Sequence, residues 1–172
     1  MKREALLDAA ESLLFEHGTQ ALTLAAVADR AGVSKGGLLY HFPTKEALVR
    51  AMVARVIEEF DGLVASHDDG TPGSYSRAYV EATFEILTGE ARAHRRWSAI
   101  TAAATDPEQA EPLNEAMRRW HGEPAGERDP GAAMVVRLAA EGLWEVVSHA
   151  PELYDGEQLE ALKQRLLALL ER

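Results

Sequence analysis

The chain has 172 residues, of which 47% are hydrophobic and 27% charged, so its composition is that of one or two globular units and excludes intrinsic disorder. It has no cysteine, which excludes disulfides, thiolate zinc sites and cysteine nucleophiles and fits a reducing cytoplasm. No signal-type segment or long apolar run occurs, so we expect a cytoplasmic protein without a membrane partner.

The formal net charge of -10 disfavours DNA binding by the chain as a whole, because Lys and Arg must neutralise phosphates. The charge is unevenly placed, however. Residues 1–50 hold six basic and six acidic residues, so the remainder of the chain carries the entire negative charge. An N-terminal module without a marked basic patch could therefore still approach a duplex.

The first four helices follow from apolar spacing, N-caps and glycine stops. Leu6, Ala10 and Leu13 recur at helical spacing before Gly18. The helices are expected at residues 3–17, 24–31, 35–41 and 45–66, after the capping candidates Thr23, Ser34 and Thr44.

Five further helices are expected at about residues 74–88, 90–104, 107–121, 132–149 and 156–171. Gly, Pro and Asp-rich segments at 67–73 and 122–131 and a turn at Pro151 interrupt the pattern. No alternating Val, Ile and Thr run competes with this interpretation. The prediction is an all-α fold of about nine helices.

Residues 23–45 have the sequence TLAAVADRAGVSKGGLLYHFPTK. This pattern predicts a helix, a turn at Gly32 and a second short helix, which together form a helix-turn-helix motif. Gly36 and Gly37 each cost about 1 kcal/mol relative to alanine inside a helix, which indicates close approach to another molecule. A nucleotide-binding loop is disfavoured, because Leu38 and Leu39 stand where that motif requires Lys and Ser or Thr.

These residues resemble the TetR family of transcriptional regulators, through FEHG at 15–18, AGVSKG at 31–36 and LLYHFPTKEAL at 38–48. The resemblance implies a three-helix helix-turn-helix DNA-binding domain at residues 1–47 and a larger helical effector-binding and dimerisation domain at 48–172. It further implies contacts to DNA phosphates, backbone or groove by Thr23, Ser34, Lys35, Gly36, Gly37, Leu39, Tyr40, His41 and Lys45.

The sequence departs from the family at Leu39, where many members carry tyrosine, and at Ala25 and Ala26, which lack long polar side chains. We therefore expect sequence preference to depend on Lys35, groove shape and close approach at the glycines.

Catalytic and metal sites are not expected. The six histidines are dispersed without ligand spacing, and neither a G-x-S-x-G elbow nor a dinucleotide-binding glycine motif occurs. We expect no metal, no cofactor and no enzyme activity, although a helical enzyme with a carboxylate cleft stays an alternative.

The family resemblance implies an effector pocket between the middle helices. Aromatic residues accompanied by polar groups are its candidates: Phe84, Trp97, Ile100, Thr101, Met117, Trp120, His121 and Trp144. Ordinary core packing is the alternative for each of them. The cationic cluster of Arg92, His94, Arg95 and Arg96 is interpreted as a solvated or ion-paired face, with an anionic effector or a contact to the DNA-binding module as alternatives.

Apolar stripes on the last two helices predict a partner surface. Its candidates are Val136, Ala140, Leu143, Val147, Leu159, Leu162, Leu166 and Leu169, and the alternative is that they close the chain's own core. In the family, two such helices pair with their copies in a four-helix bundle, so the resemblance implies a homodimer.

The resulting hypothesis is a cytoplasmic, dimeric regulator that acts as a repressor and is released from a palindromic double-stranded DNA operator by an unknown small molecule. The alternative is a helix-turn-helix regulator that is controlled by a protein partner or has no ligand input.

Overall fold

A computed structural model describes residues 2–89, 93–122 and 126–171. Within these ranges the chain forms nine α-helices and no strand, which confirms the predicted all-α fold. The helices are α1 (Lys2–His17), α2 (Leu24–Arg30), α3 (Lys35–His41), α4 (Lys45–His67), α5 (Ser74–Thr88), α6 (Ala93–Ala103), α7 (Pro107–Trp120), α8 (Pro130–His149) and α9 (Gly156–Leu170). Residues 90–92 of the predicted sixth helix lie outside the described residues.

Side chains cap the start of several helices. Thr23, Ser34, Asp129 and Asp155 have extended backbone, and each accepts a hydrogen bond from a backbone N–H in the following turn. Such caps satisfy donors that have no partner within the helix, and each stabilises it by roughly 1 kcal/mol. The predicted caps at Thr23 and Ser34 are therefore confirmed.

Two glycines allow the chain to reverse in the N-terminal region. Gly18 and Gly32 have φ angles of 76° and 65°, in the left-handed region that residues with a Cβ rarely adopt. After Gly32, the Val33 N–H donates to the Ala28 carbonyl at 3.0 Å, which ties the turn back to α2. This is the predicted turn between α2 and α3.

The contacts divide the chain into two compact units. Unit 1 comprises the described residues up to Ile57 together with Arg96–Ala116, and unit 2 comprises the described residues of 58–95 and 117–171. This division differs from the border expected at residue 47, since it groups residues of α6 and α7 with the N-terminal helices. The assignment of functions to residues 1–47 and 48–172 stays a prediction.

Unit 1 has an apolar core that fixes the N-terminal helices. Its fully buried side chains in α1 to α4 include Leu6, Leu7, Ala10, Val27, Leu38, Leu48, Met52 and Val53. Burial of a large apolar side chain contributes roughly 1.5–3 kcal/mol, so this core holds α2 and α3 as a rigid pair. α3 therefore has a determined buried side and a determined open side.

Unit 2 is built on α5, α8 and α9. Its core contains Val80, Phe84, Leu87, Val136, Val147, Leu159 and Leu167. Leu143, Trp144, Leu166 and Leu169 are partly buried and pack against this core. The apolar stripes of α8 and α9 thus meet within one chain.

This core takes up part of the predicted partner surface, whose assignment to a second subunit stays a prediction. Val136, Ala140, Val147 and Leu159 are at most 6% exposed, so they have no surface left for a second subunit. Leu143, Leu166 and Leu169 pack on the same core, and only Leu162 of the eight is more than a third exposed. The stripe pattern located the faces of α8 and α9 that close the chain's own core.

None of the helices in the described part of the chain is both long and apolar enough to span a bilayer.

Candidate DNA-binding surface and effector site

The helix α3 presents one face to the surface. Of the nine residues predicted to contact DNA, six are exposed, three are half-buried and none is buried. Tyr40 is 85% exposed, whereas Leu38 on the opposite face is fully buried and Phe42 is 2% exposed. Leu38 and Phe42 therefore anchor α3 while Gly36 and Tyr40 stay accessible to a second molecule.

Gly36 is open on all sides. A Cβ at this position would have no heavy atom within 4 Å, whereas a Cβ at Gly37 would lie 3.3 Å from the Ser34 Oγ. Packing within the chain therefore gives no reason for glycine at residue 36. Because glycine lowers helix stability, its presence here fits a surface that another molecule approaches closely.

Polar groups flank the open face of α3. The hydroxyl oxygens of Thr23 and Ser34 accept cap hydrogen bonds at 3.2 and 3.1 Å, which leaves both hydroxyl hydrogens available to an outside acceptor. Lys35 is exposed beside them at the start of α3. The arrangement suits phosphate oxygens, which accept hydrogen bonds from hydroxyl, ammonium and backbone donors.

The remaining predicted contacts lie at the end of α3 and the start of α4. His41 is half-buried, and its ring meets the Tyr40 ring edge-on with 5.1 Å between centroids. Lys45 is also half-buried, and its Nζ donates to the Thr19 carbonyl at 3.4 Å. Lys45 thus supports the loop after α1 as well as adding positive charge.

An ion pair not predicted from the sequence joins α1 to α2. Arg30 donates from Nη1 and Nη2 to the two carboxylate oxygens of Glu16, at 2.9 and 2.7 Å. This hydrogen bonding from Arg30, with a further one from Ser12, lowers the pKa of Glu16 from its ordinary 4.5 to about 2. The pair helps to hold the helix-turn-helix on α1.

A second group of ion pairs joins three helices of unit 1. The carboxylate of Glu11 in α1 accepts hydrogen bonds from Arg55 Nε of α4 at 3.0 Å and from Arg96 Nε of α6 at 2.5 Å. Arg55 also donates to Asp8 at 2.7 Å. Burial acts to lower the pKa of Arg55, but these carboxylates outweigh it and raise the pKa.

The contact between Arg96 and Glu11 bears on the prediction for the cationic cluster. Arg96 pairs with Glu11 of α1, which agrees with the ion-paired interpretation and, since Glu11 lies within residues 1–47, also with the alternative of a contact to the predicted DNA-binding domain. Arg95 is exposed and also has an interaction partner. Arg92 and the side chain of His94 lie outside the described residues.

The eight predicted effector residues are divided between the units. Unit 1 contains Trp97, Ile100 and Thr101, and unit 2 contains the other five. Phe84 lies in the core of unit 2 and Trp144 packs against it, so the core alternative applies to both. Met117 is half-buried, and Trp120 and His121 form the better candidate.

Trp120 and His121 lie in an aromatic cluster of unit 2. The Trp120 ring meets the Phe60 ring edge-on at 4.8 Å between centroids, and the Tyr79 ring lies at 6.4 Å. The Trp120 Nε1 donates to Asp61 Oδ1 at 2.6 Å, which satisfies the indole N–H of a side chain that is 3% exposed.

Tyr79 is the polar centre of this cluster. Its hydroxyl donates to the Glu141 carboxylate, and the His121 Nε2 lies 3.8 Å from the same carboxylate. Burial, together with the charge of Glu141, raises the pKa of Tyr79 well above its usual range, so the phenol stays protonated. The sequence did not identify Tyr79 or Glu141 as a site residue, since each is an isolated polar residue on a helix.

An exposed apolar face runs along α8. Met134, Val135, Leu138 and Val146 are 53, 58, 57 and 37% exposed, and a Cβ on Gly142 would have no heavy atom within 4 Å. These positions lie on the side of α8 that faces away from the core of unit 2. A contiguous apolar surface of this kind is typical of a protein interface.

Among the residues that the structure describes, no group of three or more His, Cys, Asp or Glu side chains could hold a metal ion.

Comparison with known proteins matches most of the chain to two models of one protein family. A family model described as bacterial regulatory proteins, tetR family, matches residues 6–52, and one described as Tetracyclin repressor-like, C-terminal domain, matches residues 73–171. The HTH-type transcriptional regulator RutR of Escherichia coli (strain K12) is 33% identical over 95 residues, which cover 55% of this chain and 45% of RutR. The chain thus spans about half the length of the curated relatives it matches.

Solved structures show the same fold. A transcriptional regulator from Rhodococcus sp. Rha1 has a TM-score of 0.72 at 23% identity, with 99% of this chain and 97% of that chain covered. The multidrug binding protein EbrR, complexed with ethidium, has a TM-score of 0.71 at 24% identity, with 96% and 97% covered.

Proposed function

Since the chain belongs to the TetR family of transcriptional regulators, we propose that it is a dimeric repressor, which a small-molecule effector releases from a palindromic DNA operator. The observation that carries the proposal is the open, glycine-bearing face of α3. Residues 1–47 act as the DNA-binding domain in this proposal, and residues 48–172 as the effector-binding and dimerisation domain.

α3 lies in the major groove, where Gly36 lets the helix backbone approach the duplex and Leu39 meets a thymine methyl group. Thr23, Ser34 and Lys35 bind phosphates at the rim of the groove. The single aromatic side chain on this face, Tyr40, contacts the DNA backbone. With few long polar side chains on α3, sequence preference depends on groove shape as well as on hydrogen bonds to bases.

Dimerisation uses the exposed face of α8. Met134, Val135, Leu138 and Val146 form the interface together with Leu162 of α9, which is the exposed member of the predicted partner surface. Two copies that pair through this face bury apolar surface now in contact with water. A twofold axis at this interface makes two copies of α3 available to two operator half-sites.

Release depends on the contact between α6 and α1. Arg96 of α6 binds the same carboxylate of Glu11 that Arg55 of α4 binds, so a shift of α6 acts on α1 directly. An effector that prefers a different position of α6 therefore lowers the population that can bind DNA. The relative EbrR has been crystallised with ethidium, which supports a search for small-molecule ligands of this chain.

The proposal is tested by selecting bound DNA from a random pool and titrating the selected site with salt. A palindromic sequence is expected, and its affinity should fall steeply as salt rises because phosphate contacts release counterions. Sequence-independent binding, or no binding at all, contradicts the proposal.

A glycine pair gives a sharper test of the α3 surface. Gly36→Ala should raise the free energy of unfolding by about 0.5–1 kcal/mol while weakening operator binding, since the methyl group meets only the duplex. Gly62→Ala in α4 is the matched control, because Gly62 is equally open and lies outside α3. It should stabilise the protein and leave operator affinity unchanged. Equal operator affinities of the two variants would contradict a contact between α3 and the DNA.

A further inference from the structure

Arg137 of α8 is the most deeply buried charged side chain among those that the structure describes. It is 1% exposed, and it lies on the side of α8 that contacts α5. An arginine cannot lose its proton inside a protein, so its burial requires compensation by an anion or by a full set of hydrogen bonds. Among the described residues, Arg137 has neither an ion-paired carboxylate nor a full set of hydrogen-bond acceptors.

The partners of Arg137 are few and neutral. Its Nη1 donates to the Ser76 Oγ at 2.7 Å, and its guanidinium lies over the Tyr75 ring at 6.0 Å from the centroid. Its Nε is buried with no hydrogen-bond acceptor. Within the described part of the chain, no carboxylate oxygen lies within 4.0 Å of the guanidinium nitrogens of Arg137.

Two carboxylates on the elements around Arg137 are engaged by other donors. Glu127 accepts a hydrogen bond from the Ser76 backbone N–H at 3.2 Å. Glu141, one turn further along α8, accepts from the Tyr79 hydroxyl. Among the described residues, the guanidinium of Arg137 therefore lies beside the Tyr75 ring without a carboxylate in direct ion-pair contact.

We propose that Arg137 binds the carboxylate of a small effector whose apolar part lies against Tyr75 and Tyr79. This inference rests on the proposed function and adds the chemical class of the ligand. A guanidinium donates two parallel hydrogen bonds to a carboxylate, and the pair is strong where water is excluded. Tyr75 and Tyr79, whose ring centroids lie 6.3 Å apart with the ring planes tilted by 44°, supply apolar surface beside it.

A singly charged carboxylate fits better than a phosphate ester. Arg137 supplies one positive charge, and it contacts Ser76 and Tyr75, neither of which is basic. A phosphate carries between one and two negative charges at neutral pH and would leave part of them unbalanced in a buried site. The ligand class is therefore a small aliphatic or aromatic carboxylic acid.

Burial of Arg137 links binding to a conformational change. Because the guanidinium is covered in this structure, an anion reaches it only when the surrounding side chains open. The ligand thus binds the opened conformation preferentially and raises its population. This is the property that an effector of a repressor needs.

The test measures thermal unfolding and binding calorimetry of the full chain with three probes: acetate, benzoate and octanoate. Each is compared with its neutral amide at the same concentration and ionic strength. We expect at least one carboxylate to raise the Tm while its amide does not, and about a tenfold or greater loss of affinity in Arg137→Met. Arg165→Met, at an exposed arginine of α9, is the control and should respond as the wild type does.

Arg137→Lys is the second variant should Arg137→Met not fold. It keeps the charge but loses the paired donors, so its carboxylate affinity should also fall about tenfold. If no carboxylate exceeds its amide with the wild type, or if inorganic phosphate binds more tightly than all three, the inference is overturned. An unchanged affinity in the folded Arg137 variant overturns it as well.

These outcomes separate the inference from the proposed function. A wild-type chain that selects a palindromic operator but ignores all three carboxylates refutes the ligand class alone. A chain that binds a carboxylate through Arg137 but selects no DNA refutes the repressor proposal while leaving the site intact.

Discussion

Replacement of Glu11 by glutamine should destabilise unit 1, because Glu11 is the shared anion between two arginines. Its side chain is 11% exposed, and those of Arg55 and Arg96 are 16% and 31% exposed. The substitution keeps the shape of the side chain and one acceptor oxygen. It removes the charge and leaves two guanidinium groups facing a neutral amide.

The size of the effect follows from the contacts. Hydrogen bonds to charged groups contribute about 1.5–3 kcal/mol each when shielded, and partial exposure of Arg96 reduces its share. Because glutamine retains one acceptor, we expect a loss of about 2 kcal/mol in the free energy of unfolding. For a chain of this length that corresponds to a fall in Tm of about 4–8 °C.

Urea unfolding followed by circular dichroism measures this difference. The control is Glu58→Gln in α4, an exposed carboxylate for which the described residues provide no ion pair; its effect should be within about 0.5 kcal/mol. A double-mutant cycle with Arg96→Gln isolates the contact between α1 and α6. A coupling energy near zero in that cycle, or equal effects of the two glutamate variants, would refute this account of Glu11.

The remaining predictions concern acid stability, dimerisation and the aromatic cluster. The pKa of Glu16 is lowered from 4.5 to about 2 in the folded chain. The contribution of this carboxylate to stability is therefore complete above pH 4.5 and is lost as the pH falls towards 2. In an acid titration, Glu16→Gln should lose less stability over that interval than the wild type does. Leu138→Glu should give a folded monomer in sedimentation experiments, whereas Ala65→Glu, which adds the same charge to an exposed site of α4, should remain dimeric. Tyr79→Phe should lower the free energy of unfolding by about 1–3 kcal/mol, because the Glu141 carboxylate loses its buried donor; no change in a urea titration would contradict this.

Local signals predicted most of the fold. Caps at Thr23 and Ser34, left-handed turns at Gly18 and Gly32, and apolar residues at helical spacing act within a few residues, so the sequence displays them directly. Helix ends are accordingly within two or three residues of their predicted places where the structure describes them. The exposed face of α3 follows from the same periodicity, since burial of Leu38 fixes which side is open.

The apolar stripe of α8 shows where such reasoning stops. Periodicity identifies an apolar face, but it does not say whether that face meets the same chain or another one. α8 is apolar on two sides, with Val136 and Val147 in the core and Val135 and Leu138 exposed. Only packing against α5 and α9 distinguishes the two sides.

Charged contacts were missed for a different reason. Arg137 looks like an ordinary surface residue in the sequence, and its burial results from the approach of α5 through Ser76. Likewise, Glu11 and Arg96 are 85 residues apart along the chain. Pairing over such distances depends on tertiary structure and leaves no local pattern to read.

The openness of Gly36 has a consequence for engineering. Methods that improve a protein by raising its melting temperature would select alanine at this position, since the fold alone gains from it. Under the proposed contact between α3 and DNA, such a variant would score as an improvement in every assay that omits nucleic acid but would bind the operator more weakly. Stabilised forms of this chain are therefore best sought at sites such as Gly62, with α3 left unchanged.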